Sequence, residues 1–177
     1  MNKSKVAALF CGFAALLLSA GAIASQHAQA VATAAKSFLA TLNEEQLSAV
    51  ILPLDTDERA TWSNLPIIMV QPAGVLIKDM TSEQRRAAHA LMRATMSSQG
   101  YAKFTGVMLL EDLLHQMESA MLQTNQERRN DPLAKAFVAT RDYENYAVAI
   151  FGDPGDASWG WKIAGHHAAA NFTISKS

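Results

Sequence analysis

Hydrophobic spacing changes once along this chain, and that change restricts the folds open to it. Up to about residue 140, apolar residues recur at intervals of three and four. Beyond that point Tyr146-Ala147-Val148-Ala149-Ile150-Phe151 is a continuous β-branched and aromatic run, closed by the turn residues Gly152-Asp153-Pro154-Gly155-Asp156. A 3.6-residue period lines one face of a helix, whereas a short apolar run bounded by Gly, Pro and Asp reads as a buried strand. Trp159 to about Ile174 then returns as a second strand. Helices first and a hairpin last define an α+β domain: a helix-rich amino-terminal two-thirds packed with a carboxyl-terminal antiparallel β-hairpin.

Several helices are marked by their ends. Gln29 to Leu42 is alanine-rich, with Phe38, Leu39 and Leu42 on one side. Thr41-Leu42-Asn43-Glu44 has the spacing of a capping box and opens a helix that stops before Pro53. Asp55 to Trp62 reads as a short helix, and Ile67-Ile68-Met69-Val70 and Val75-Leu76-Ile77 as short extended pieces. Thr81 or Ser82 caps the next helix, with Ala87, Ala88, Leu91, Met92, Thr95 and Met96 as its stripe and Gly100 at its end. A second strong helix covers Gly106 to about Gln126, its apolar face formed by Leu109, Leu110, Leu113, Leu114, Met117, Ala120 and Met121. Asp131-Pro132 caps a short further helix.

The amino terminus reads as an address. Met1-Asn2-Lys3-Ser4-Lys5 is basic, Val6 to Ala20 is apolar, and Ala22-Ile23-Ala24 supplies the small-x-small pattern of a cleavage site. Residues 1–24 are therefore expected to be a secretory signal peptide, leaving 25–177 as a single domain that is exported, periplasmic or secreted. Removing the leader leaves 13 basic residues against 16 acidic ones. That balance argues against a nucleic-acid or anionic-membrane footprint, since both need clustered positive charge. It also removes Cys11, the one cysteine. No disulfide is then possible, so an ordinary hydrophobic core must stabilise the domain.

Rare, chemically capable residues gather in one place, Trp159-Gly160-Trp161-Lys162-Ile163-Ala164-Gly165-His166-His167. Strand alternation puts Trp159, Trp161, Ile163 and His167 on one face and Lys162, Ala164 and His166 on the other. Adjacent histidines on opposite faces cannot ligate one ion unless the strand is irregular, and Gly165 offers such an irregularity as a bulge. Two readings follow. His166 and His167 coordinate a divalent metal or move a proton, with Trp161 and Asn171 completing a ligand site; or His167 packs in the core while His166 faces solvent.

Glu111, Asp112 and His115 have helical i,i+3 and i,i+4 spacing, but beside a clean apolar stripe they read as a solvated helix face. His89 reads the same way. No Gly-x-Ser-x-Gly elbow, phosphate loop or dinucleotide fingerprint is present.

Asp55, Glu58-Arg59, Trp62 and Pro66, then Gly100-Tyr101, Phe151-Gly152-Asp153-Pro154, and above all Trp159-Gly160-Trp161-Lys162, Gly165-His166-His167 and Asn171-Phe172-Thr173 give the chain a family signature. It resembles a bacterial family known as domain of unknown function 3500. The resemblance implies an exported protein without an assigned activity and, because the chain stops at Ser177, a shortened member. The function expected is a module that binds a small ligand, a metal or a protein partner. The alternative is an exported hydrolase using His166 or His167 as acid/base or metal ligand.

Overall fold

A computed structural model describes residues 25–175; the expected leader, residues 1–24, lies outside them. Helix α1 covers residues 25–39. It is followed by α2 (Glu44–Val50), β1 (Ile51–Leu52), a 3₁₀ turn at Asp57–Arg59, β2 (Val75–Leu76) and a second 3₁₀ turn at Ile77–Asp79. Then come α3 (Ser82–Thr95), α4 (Ser98–Thr124), α5 (Gln126–Asn130), α6 (Pro132–Ala139), β3 (Tyr146–Phe151), β4 (Ser158–Gly165) and β5 (Ala169–Ser175). The α+β class read from the sequence is what the chain adopts. No helix among the described residues is long and apolar enough to cross a membrane.

The carboxyl-terminal half of the sheet is larger than a hairpin. β3, β4 and β5 form an antiparallel meander, pairing Tyr146 with Gly165 and Trp161 with both Ile150 and Phe172. Two short strands from the amino-terminal part complete it on the other side of β3, β1 running parallel and β2 antiparallel. The expected second strand is thus two strands, because the chain reverses at His166-His167.

The core forms where one face of this sheet meets the helices. Tyr146, Val148, Ile150, Trp159, Trp161 and Ile163 pack against Val31, Ala35 and Phe38 of α1, Ala88, Leu91 and Met92 of α3 and Met108 of α4. The opposite face is covered by the irregular segment 53–74, so β3 is buried throughout and β4 almost so. Lys162, on that second face, donates from Nζ to the carbonyls of Glu58 (2.5 Å) and Thr61 (2.9 Å). Arg59 donates to Thr173 Oγ1 at 2.9 Å, and Asn171 donates to the Arg59 carbonyl. Much of the signature that spans the chain is therefore a latch, fastening one loop to one sheet face.

Several local expectations are displaced. The capping box before α2 is Asn43 with Gln46 rather than Thr41 with Glu44, because Thr41 donates instead to the Phe38 carbonyl. Ile67–Val70 is turn, not strand: Met69 and Val70 both donate to the Pro66 carbonyl, which closes the chain on itself. Gly100 does not end α3, which stops at Thr95; it lies in the first turn of α4, where its N–H donates to the N-cap Ser97 Oγ. The most consequential difference concerns α4. Leu109, Leu110, Leu113, Met117 and Met121 are exposed, Leu113 by 51%. The face turned to the core is the opposite one, carrying Phe104, Met108 and Glu111. A helix with apolar residues on two sides gives no sequence signal for which side is buried.

Candidate metal centre

β4 ends at Gly165, whose N–H donates to the Ala168 carbonyl at 3.0 Å and closes a tight reversal with His166 and His167 at its centre. His167 adopts φ 67°, the one left-handed residue other than glycine among the described residues. That conformation costs a side-chain-bearing residue about 1–2 kcal/mol, and such strain concentrates at functional positions. The expected irregularity exists, but it lies at His167 rather than as a bulge at Gly165. Gly165 contributes differently: a Cβ there would stand 2.6 Å from the Asn145 carbonyl oxygen and 2.7 Å from the Tyr146 ring.

The reversal overrides strand alternation and turns both imidazoles toward one carboxylate. Glu111 Oε1 lies 2.8 Å from His166 Nδ1 and 2.9 Å from His167 Nδ1. The two rings are 3.4 Å apart between centroids. Glu111, 1% exposed, comes from the core face of α4, and His166 is 7% exposed. His167 forms the open rim. This inverts the packing alternative drawn from the sequence, in which His167 was the buried member. Each of the three residues offers a ligand atom, and all three atoms lie within 4.8 Å of one another.

Other contacts fix the cluster. Tyr146, on β3, donates its hydroxyl to the His166 carbonyl, and burial pushes that phenol well above its ordinary range. Arg141, in the connection from α6 to β3, grips Glu118 with two hydrogen bonds of 2.9 Å, which keep the guanidinium firmly protonated. Its NH1 also lies 2.6 Å from His166 Nδ1. Glu111 Oε2 is buried and accepts no hydrogen bond among the described residues; Arg141 NH1 is its nearby cation, at 3.5 Å. Burial is the main influence holding His166 below the usual imidazole range, opposed by its hydrogen bond to Glu111 and reinforced by His167 and Arg141. A neutral imidazole is the form that ligates a metal.

Of the residues singled out in the sequence, His166 and His167 are brought together, and Trp161 and Asn171 are not with them. Trp161 is fully buried, donates from Nε1 to Thr95 Oγ1 at 3.2 Å and stacks on Phe172. Asn171 belongs to the latch. Glu111 was read as solvated helix surface and is instead the buried hub of the site. Its helical neighbour His115 contacts the Val138 carbonyl at 3.1 Å, and His89 contacts the Tyr101 hydroxyl at 3.0 Å. The available signal was the Glu111-Asp112 pair of carboxylates between apolar runs of α4, and which of the two matters becomes legible only once the buried side of that helix is known.

Fold and site together define an α+β domain carrying a buried carboxylate–imidazole cluster at a sheet reversal. No curated protein and no solved structure matches the chain. The family described as Protein of unknown function (DUF3500) matches residues 24–177, and the chain belongs to it.

Proposed function

We propose that this protein is an exported module that binds one divalent transition metal through Glu111, His166 and His167. The observation that carries the reading is the convergence of three ligand atoms within 4.8 Å around a buried carboxylate whose second oxygen accepts no hydrogen bond among the described residues. Two imidazoles and one carboxylate suit zinc and its neighbours rather than magnesium or calcium, which favour all-oxygen shells. Bond lengths of about 2.0–2.1 Å in a tetrahedral site separate ligand atoms by about 3.3 Å. The contacts of 2.8 and 2.9 Å therefore need to open by only a few tenths of an ångström. The expected leader at residues 1–24 supports export, where such ions are captured from outside the cytoplasm.

A second reading rests on the exposed rim. Three protein ligands and an open fourth position are the arrangement of catalytic rather than structural zinc, and the His167 side chain is 44% exposed. On that reading the bound ion acts as a Lewis acid on a small substrate, and the protein is a hydrolase.

Elemental analysis of the full chain recovered from the periplasm tests the first reading. One equivalent of a zinc-class ion per chain, lost in both E111A and H166A/H167A, is the expected result. Undiminished metal in these variants sinks it. Hydrolase substrates screened against the zinc-loaded protein test the second, and activity that survives complete metal removal overturns it.

A further inference from the structure

Arg141 occupies an unusual position for a structural arginine. One side of its guanidinium is saturated by the Glu118 carboxylate, with both contacts at 2.9 Å. The other side sets NH1 against the His166 ring, 2.6 Å from Nδ1 and 3.2 Å from Nε2, and within 3.5 Å of Glu111 Oε2. The nearer of the two ring nitrogens also lies 2.8 Å from Glu111 Oε1. Because NH1 lies against both ring nitrogens, it stands over the imidazole rather than along the Nδ1 lone pair, and its charge sits beside two of the three ligand residues. An ion held by Glu111 and His166 would have to take the place of that charge.

We infer that Arg141 is an internal competitor for the metal, a tethered cation that an incoming ion must displace from beside His166 and that thereby sets the concentration at which ions bind. This rests on the metal reading above and assigns the regulation of that same site. Glu118 gives the displaced arginine somewhere to remain. Its two-pronged grip holds the guanidinium beside the site with its charge neutralised, so displacement needs only a small swing about the Arg141–Glu118 pair. Like charges also forbid cohabitation, because a dication and a guanidinium cannot share the buried pocket around Glu111.

The consequence is a threshold. Every divalent ion bears the same displacement cost, so each affinity falls by the same factor and the order from manganese to zinc and copper is kept. At a given concentration strongly bonding ions overcome the arginine and weakly bonding ones do not.

The test compares the full-length wild-type protein with R141K and R141Q, each stripped of metal and titrated with zinc and with manganese against a chromophoric chelator. Lysine keeps the charge but lacks the planar fork that reaches Glu118 and His166 together. Displacement predicts that both variants bind zinc about ten- to a hundredfold more tightly than wild type, the worth of one charge-assisted hydrogen bond. It also predicts that they bind manganese at concentrations where the wild type does not. Unfolding transitions recorded with and without zinc show that each variant folds. If R141Q tightens zinc binding but R141K equals wild type, the effect is one of charge alone and displacement is overturned. Equal or weaker zinc binding in both variants overturns it while leaving the metal reading intact. Zinc binding absent from all three proteins overturns the metal reading and this inference with it.

Discussion

The same substitution, glycine to alanine, is predicted to have opposite effects at two positions. At Gly165 an added Cβ meets the Asn145 carbonyl oxygen at 2.6 Å and Tyr146 ring atoms at 2.7 and 2.8 Å. Ordinary carbon contacts begin near 3.5 Å, so β4 must withdraw from β3 by most of an ångström at the residue that leads into the histidine reversal. Forcing a methyl into a packed interior costs about 1–3 kcal/mol. At Gly106, in the middle of α4, the added Cβ meets nothing within 4 Å. Alanine there gains about 0.8–1 kcal/mol from helix propensity. The two variants should therefore differ by about 2–4 kcal/mol, or roughly 5–15 °C in melting temperature for a domain of this size. Urea denaturation followed by circular dichroism measures the difference. A G165A protein as stable as wild type would refute the packing argument, and a destabilised G106A protein would refute the account of α4 as open on that side.

Other perturbations follow from the same geometry. L113E on the exposed side of α4 should change stability by no more than about 0.5 kcal/mol, against about 2–5 kcal/mol for truncating a buried leucine; urea midpoints separate the two. K162M deprives the Glu58 and Thr61 carbonyls of their shared donor. It should cost about 1–3 kcal/mol for each carbonyl left buried and expose segment 53–74 to limited proteolysis, read as a new cut in that segment. In the metal-free protein His166 and His89 are both held below the ordinary imidazole range, chiefly by burial. Their folded values lie below the unfolded value of about 6.5, so between the two the unfolded chain binds more protons. Stability is then fully present above pH 6.5 and is lost as pH falls below it. Urea midpoints taken from pH 7.5 down to 5.5 should show this decline, and it should be shallower in H166Q and H89Q.

The fold was largely legible and the site only half so, for different physical reasons. Local rules set by backbone chemistry transferred well. Asp131 caps α6 through the Leu133 N–H with Pro132 in the first turn, Thr81 makes a capping box with Gln84, and Tyr146–Phe151 is a buried strand. Rules about which face is buried transferred poorly wherever both faces were apolar. In α4 that ambiguity sent Leu113 to the core and Glu111 to solvent, the reverse of what the chain does. The histidine pair was visible as a cluster of rare residues, but strand alternation separated it. What reunites it is a left-handed residue at His167, and a histidine carries no local mark of positive φ as a glycine would. Arg141 and Glu118 gave no signal at all, because their meeting with His166 depends on the packing of three elements distant in sequence.

Anomalous scattering from crystals of the full chain grown with zinc, with data collected on both sides of the zinc edge, addresses the central claim most directly. The account predicts one strong peak per chain, about 2.0–2.1 Å from an imidazole nitrogen of each of His166 and His167 and about 2.0–2.2 Å from a Glu111 oxygen. Arg141 NH1 should then stand beyond hydrogen-bond distance of His166 Nδ1. Zinc found elsewhere on the surface, or none bound while Glu111 still holds both imidazoles, would contradict it.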